Sequence, residues 1–289
     1  MKNELEYFLL ISLERIFLLF GIKSARCFAK FLALFFYYVL KIRRTTVINN
    51  LQTAFPELIS KEIKSIAVKN YKSFCLMLVE LFFIKNSSKE KIIKSVDCTD
   101  LINLNSKGRF KNGGFFLTAH YGNWEIGGIS AGLQLNIEMN VLAKPQRNIF
   151  FFKWLNEVRE SFGNKVIPLG PSVREVYKAI SEKKMVGVVG DQRGPIEADR
   201  VKFFGKDTAV FQGTALIALK KNVPIVTALL ERQNDFTYKI IIEEIDITKF
   251  SGTEQEIIHQ INQEYMNILE RQIRKKPEQW FWMHKIWKY

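Results

Sequence analysis

Phe115-Phe116-Leu117-Thr118-Ala119-His120-Tyr121-Gly122-Asn123-Trp124-Glu125 is the stretch on which the fold of this chain turns. The apolar run reads as a buried strand that stops at His120. Gly122 supplies a turn, Asn123 a helix N-cap, and Glu125 falls in the first turn of the helix that follows. A strand handing over to a helix through a short polar loop is the βα unit of a parallel sheet. Such sheets bind ligands beyond the carboxyl ends of their strands. His120 and Glu125 therefore become a candidate acid–base pair. On a continuous helix five residues subtend about 500° and the two side chains would diverge. They can meet only if His120 precedes the helix and Gly122 lets the chain turn. A carboxylate bonded to Nδ1–H would fix the tautomer and leave Nε2 as a base. The bland alternative is a lone, satisfied histidine at a strand end.

Working outward, the same alternation recurs. Strands are expected at Met139–Ala143, Lys165–Pro168, Met185–Gly190, Pro224–Leu230 and Tyr238–Ile245. Helices are expected at Trp124–Leu135, Phe150–Phe162, Ser172–Lys183 with Ser172 as cap, Ala209–Lys221 and Thr253–Lys275. Upstream, Ile59–Lys85 carries a helical apolar period, and Ser88 is a cap for the next helix. Strands separated by helices predict an α/β fold with a largely parallel central sheet flanked by helices.

The first 44 residues read differently. Tyr7 to Phe20 and Cys27 to Leu40 are apolar runs interrupted by charge, followed by Lys41, Arg43 and Arg44. Neither reaches the ~20 clean apolar residues of a secure membrane span. They read as a hydrophobic, membrane-associated helical region lying in the cytoplasmic leaflet with its basic residues on the head groups. A buried helical hairpin and a single transmembrane pass are the alternatives. The expected division is a membrane-associating segment at residues 1–44 and a catalytic domain at 45–289. No small-residue cleavage site follows a basic start, so a cleaved signal peptide is not expected.

Across 289 residues the formal net charge is +14, which calls for acidic partners. There is no compact basic block or RNA-binding aromatic motif, so nucleic acid is not expected. Three cysteines without metal spacing point to a reducing compartment and no disulfide framework. The 24 phenylalanines fit either contact with acyl chains or a biased genome.

Further candidates sit at other strand ends. Asp191 and Gln192 open a glycine-flanked loop after Val188-Val189-Gly190, facing the same crevice as His120 or merely capping a turn. Lys144 ends another strand, where a cation could hold phosphate or a developing oxyanion, or simply be solvated. Phe203, Phe204 and Gly205, ahead of Gly213-Thr214-Ala215, read as tight packing against a ligand or against the core. The tail Lys276-Pro277-Glu278-Gln279-Trp280-Phe281-Trp282-Met283-His284-Lys285 reads as packing or as an aromatic belt beside a membrane.

Taken in order, these motifs resemble the bacterial lipid A biosynthesis acyltransferases, the lauroyl/myristoyl transferase family within the lysophospholipid acyltransferase superfamily. The resemblance runs over nearly the whole chain: the hydrophobic N-terminal helix, H-x4-E after a strand, strand-end Asp-Gln, Phe-Phe-Gly before Gly-Thr-Ala, and the Pro-Glu-Gln-Trp-x-Trp-x-His ending. It implies His120 as catalytic base and Glu125 as its partner. It implies substrate-binding roles for Asp191, Gln192, Phe203, Phe204 and Gly205. Lys144 stands where many members carry Arg before Pro, replacing a bidentate fork with a point charge, and Arg147 is near enough in sequence to substitute. The implied reaction moves an acyl chain from an acyl-carrier-protein thioester to a hydroxyl of a lipid A precursor, a phosphorylated glycolipid, at the cytoplasmic face of the inner membrane. No metal or cofactor is implied. Two alternatives stay open: transfer to a glycerophospholipid, amino-acid lipid or other glycolipid, and a non-catalytic membrane protein of the same fold.

Overall fold

The computed structural model describes residues 2–169 and 172–288. The chain begins with α1 (Lys2–Leu34), one wide π-helical turn (Phe35–Val39), α2 (Arg44–Ala54), α3 (Ser60–Ile84) and α4 (Lys89–Ser95). It continues through β1 (Val96–Asp97), α5 (Thr99–Ser106), β2 (Gly114–Thr118), α6 (Trp124–Leu135), β3 (Met139–Ala143), α7 (Ile149–Glu160) and β4 (Lys165–Pro168). Next come α8 (Ser172–Ser181), β5 (Met185–Val189), β6 (Arg200–Phe203) and β7 (Lys206–Ala209). The chain ends with α9 (Gly213–Lys221), β8 (Ile225–Arg232), β9 (Tyr238–Ile245), α10 (Glu254–Lys275) and a Trp-rich tail.

The seven-stranded sheet has the order β1-β9-β8-β2-β5-β3-β4. Every neighbouring pair is parallel except β8 and β9, which form an antiparallel pair through a short turn. β2 and β5 lie side by side at the centre in a register that pairs Gly114 with Met185 and Thr118 with Val189. Both strands are buried, which explains their unbroken apolar sequence. Because their carboxyl ends are level, the residues two positions beyond each end, His120 and Asp191, leave the sheet together.

Caps set several boundaries. Asn123 accepts the Ile126 amide at 3.3 Å and starts α6, and Ser88 accepts the Lys91 amide to start α4. Thr253 and Glu256 form a reciprocal capping box on α10. The expected helix from Ala209 is shorter: Lys206–Ala209 is strand β7, paired with β6 as a small separate hairpin, and α9 begins only at Gly213. Phe204 and Gly205 make its turn with positive φ of 50° and 71°. Turn chemistry there interrupts what the local composition suggested was helical. The cap expected at Ser172 lies outside the described side chains.

α1 packs along α3 through Phe17, Ala25, Ala29 and Ala33, and these residues join the core of the α/β unit. It kinks at Gly21, where φ is 80° and ψ 165°. Its other side is exposed and apolar: Leu5, Phe8, Leu9, Ile16, Leu19, Phe20 and Phe31 recur at helical spacing, with Leu19 81% exposed. Among the described residues no helix is long and apolar enough to cross a membrane.

Candidate active site

The loop from His120 to Asn123 is held by its own backbone. Gly122 adopts φ +62°, and a Cβ there would sit 1.8 Å from the Leu230 carbonyl oxygen. Only glycine permits that approach. The C-terminal tail lies against the same loop. The Phe281 amide donates to the His120 carbonyl at 2.9 Å, the Gly122 amide donates to the Gln279 carbonyl at 3.0 Å, and Tyr121 bridges Trp280. Asn70 of α3 donates to the Glu278 and Trp280 carbonyls at 3.0 and 2.5 Å, and Asn50 of α2 to those of Trp282 and His284 at 2.9 and 2.8 Å. Trp280 and Trp282 are fully buried, so the tail packs inside the protein and is not an interfacial belt.

His120 is bonded to Asp191. Its Nδ1 lies 2.6 Å from Oδ1, and its backbone amide donates to Oδ2 at 2.8 Å. The Trp280 indole N–H donates to the same Oδ2 at 2.7 Å. Asp191 is completely buried and receives all three donors. Burial alone would raise its carboxyl, but the His120 charge and the hydrogen bonds outweigh it and hold the group below the usual carboxylate range. Burial likewise pulls His120 down, yet the Asp191 charge and hydrogen bond raise it overall, with a smaller push from Glu125. An ionised Asp191 accepting from Nδ1–H leaves Nε2 as the free basic nitrogen.

The carboxylate bonded to His120 is thus not Glu125, and the expected His120–Glu125 hydrogen bond is corrected here. Glu125 points to Arg159 of α7 instead. Arg159 Nε donates to Oε2 at 2.8 Å and Nη2 to Oε1 at 2.6 Å, a fork-on-fork pair with the two side chains only 13% and 7% exposed. The Trp124 indole adds a bond to Oε1 at 3.2 Å, while its ring meets the His120 ring edge-on at 4.7 Å. α6 explains the divergence: with Asn123 as cap, Glu125 already lies on the helix and follows its direction toward α7.

An apolar slot runs between α6 and the sheet. Trp124, Glu125 and Arg159 line it, together with Phe116, Gly128 and Leu142. Gly128 has no neighbour within 4 Å of where a Cβ would stand. A second, wider cleft receives Lys144 and Gln192. Arg147 lies in a different recess, beside Glu6 and Tyr7 of α1, and is therefore separated from the Lys144 cleft. Phe203 and Phe204 are buried in an aromatic cluster with Phe55, Trp280, Trp282 and Trp287. They support the tail, and through Trp280 they support Asp191. Gly205 forms the hairpin turn beside them. These three positions read as packing around the tail, in place of the substrate contact that the resemblance implied.

Sequence reasoning missed Arg159, Trp280 and a buried network centred on Glu80. Glu80 accepts from Arg26 of α1 at 2.9 Å, from Asn123 at 3.1 Å and from the Tyr238 hydroxyl. It ties the cap of α6 to α1 and to β9. A glutamate inside the apolar period of α3 is the one sequence signal that pointed there.

Comparison with known proteins agrees with this architecture. A sequence model of the family described as bacterial lipid A biosynthesis acyltransferase matches residues 2–289. The chain belongs to that family. Among its relatives are the lipid A biosynthesis palmitoleoyltransferase of Escherichia coli (strain K12) and a lipid A biosynthesis acyltransferase of Shigella flexneri. Each is 23% identical over 252 residues, covering 86% of this chain and 80% of the relative. Membership makes the chain an acyltransferase of a family acting on lipid A-like acceptors.

Proposed function

We propose that this protein moves a fatty acyl chain from an acyl-carrier-protein thioester to a hydroxyl of a lipid A precursor, with His120 as general base. The observation that carries the reading is the buried Asp191 carboxylate on His120 Nδ1, which leaves Nε2 free beside an apolar slot. Nε2 takes the acceptor hydroxyl proton as the oxygen attacks the thioester carbonyl. The tetrahedral intermediate then collapses, the carbon–sulfur bond breaks, and the imidazolium returns its proton to the departing thiolate. Asp191 stays ionised throughout and steadies the imidazolium. No covalent acyl-enzyme is required. The slot between α6 and the sheet takes the acyl chain, and the Glu125–Arg159 pair at its lining fixes a cation close to the chemistry.

The exposed apolar side of α1 supports attachment to a membrane surface, where both lipid substrates reside. The basic residues Lys41, Arg43 and Arg44 that follow it suit the anionic head groups of a cytoplasmic leaflet.

The test is transfer by purified protein from an acyl-carrier-protein thioester to a lipid A precursor, read by mass spectrometry. His120→Ala should lower the rate by ~10²–10⁴-fold while leaving the fold intact. Near-normal turnover in that variant would remove His120 from the mechanism.

A further inference from the structure

The Lys144 cleft is a second, distinct feature of the active-site face. It has a volume of about 680 Å³ and collects Arg43, Lys144, Arg193, Lys285 and Lys288. No carboxylate lines it among the described residues. Those five cations come from four separate parts of the chain: the turn before α2, the end of β3, the loop after β5, and the tail. Convergence of like charges from distant segments costs self-repulsion unless an anion relieves it.

Its position ties it to the reaction. Lys144 and Arg193 follow strands whose carboxyl ends form the active-site edge, and Arg193 comes two residues after Asp191. Phe281 lines the cleft and also packs its ring 5.9 Å from that of His120. The Arg193 guanidinium donates to the Lys285 carbonyl at 2.9 Å, which fixes loop and tail together. His284 also lines the cleft, with both ring nitrogens buried and without a protein hydrogen-bond partner. Burial drives that imidazole down to about 4, so it is neutral and offers one donor and one acceptor.

The cleft also borders the apolar surface. Tyr38, Val39 and Leu40 are exposed and lead straight into Ile42 and Arg43, which line the cleft. Lys41 and Arg43 both have positive φ, 51° and 54°, so the chain turns sharply there. An occupant with its charge in the cleft can lay hydrocarbon on that neighbouring surface. A folded protein surface would not fill a concavity and an apolar margin in this way, so a lipid is the better match.

We propose that this cleft binds a phosphate group of the lipid acceptor, holding its hydroxyl toward His120 while its acyl chains lie along α1 and Phe35–Leu40. The inference rests on the acyltransferase reading above and adds the residues that would select a phosphorylated acceptor.

The experiment compares wild type with the triple variant Arg43→Ala/Lys144→Ala/Lys285→Ala, after checking that both melt alike. Rates are measured on a phosphorylated acceptor and on the same lipid dephosphorylated. The ratio of the two kcat/KM values should fall at least ten-fold toward one in the triple variant, mainly through KM for the phosphorylated acceptor. KM for the acyl-carrier-protein thioester should stay put. A second arm uses flotation with phosphatidylcholine vesicles, with and without phosphatidic acid, in a His120→Ala background. The phosphatidic-acid enhancement should be lost with the three charges, and millimolar inorganic phosphate should not reproduce it if the lipid is what is held. An unchanged acceptor ratio, a defect confined to the acyl donor, or equal flotation would overturn the assignment. If the wild type acylates no lipid A-type acceptor, the function above fails, while the flotation arm still reads the cleft.

Discussion

Asp191→Asn separates the role of Asp191 from that of Glu125 with the loss of a single charge. In the wild type one carboxylate oxygen accepts from His120 Nδ1 at 2.6 Å, and the other accepts two N–H donors at 2.7 and 2.8 Å. An asparagine must place its NH₂ in one of those two positions. Facing the two N–H donors, it would leave both buried and unpaired, at about 1–3 kcal/mol each. Facing Nδ1, it costs only the tautomer: Nδ1 becomes the acceptor and the proton moves to Nε2. The second arrangement is cheaper by about 2–6 kcal/mol on those figures. The variant should therefore fold, with its base protonated on the wrong nitrogen.

The same reversal in a serine-protease triad costs about 10⁴ in rate, and a fall of ~10³–10⁴ is expected here. The pH dependence gives an independent check. In the wild type His120 is raised by Asp191, so the rate should climb with pH through a value above the ordinary histidine range. Without the carboxylate that limb should move to lower pH. Stability follows the same linkage. The depressed Asp191 contributes stability that is lost as pH falls through its folded value. The raised His120 contributes stability that is lost as pH rises through its own. The stability deficit of the variant should thus be greatest between these two, at about pH 5–6, and shrink above the raised histidine value. Nitrogen NMR of the imidazole reads the tautomer directly, and denaturant melts across pH read the deficit. A rate within ten-fold of wild type, or an unchanged tautomer, would refute this assignment of Asp191.

Glu125→Ala and Arg159→Ala should each cost about 3–5 kcal/mol by stranding a buried charge, whereas Glu125→Leu/Arg159→Met should regain most of that stability in urea melts without regaining acyl transfer. In neither case should the His120 tautomer change, which distinguishes this pair from Asp191. Gly128→Leu fills open space in the apolar slot and should shift the preferred acyl donor to shorter chains, read as the product profile from a mixture of thioesters. A uniform loss across chain lengths would place the acyl chain elsewhere.

The sheet was legible in sequence because its strands are buried on both faces and each is punctuated by a turn or cap. Met139–Ala143, Lys165–Pro168 and Tyr238–Ile245 fall where the apolar runs place them, and α6 where Asn123 caps it. The β6–β7 hairpin was not legible. Its strands are four residues each, and the positive φ at Phe204 falls on a residue type that rarely adopts it. Long-range closure was hidden too. Nothing local in α3 says that Asn70 holds the tail, or that Glu80 meets Asn123 and Arg26.

The choice between two carboxylates shows the same boundary within the site. Glu125 is five residues from His120 and Asp191 is seventy-one away, so sequence proximity favours the wrong one. What decides is sheet register. β2 and β5 pair from Gly114 with Met185 to Thr118 with Val189, and only that alignment brings the residues after each strand together. A slip of one residue would turn every side chain to the opposite face. It would also take the Asp191 carboxylate away from His120 and Trp280. The hydrogen bonds that orient the base are therefore an outcome of burying two apolar strands in register. The short-range H-x4-E spacing does separate work, placing Glu125 on α6 to hold Arg159 beside the slot.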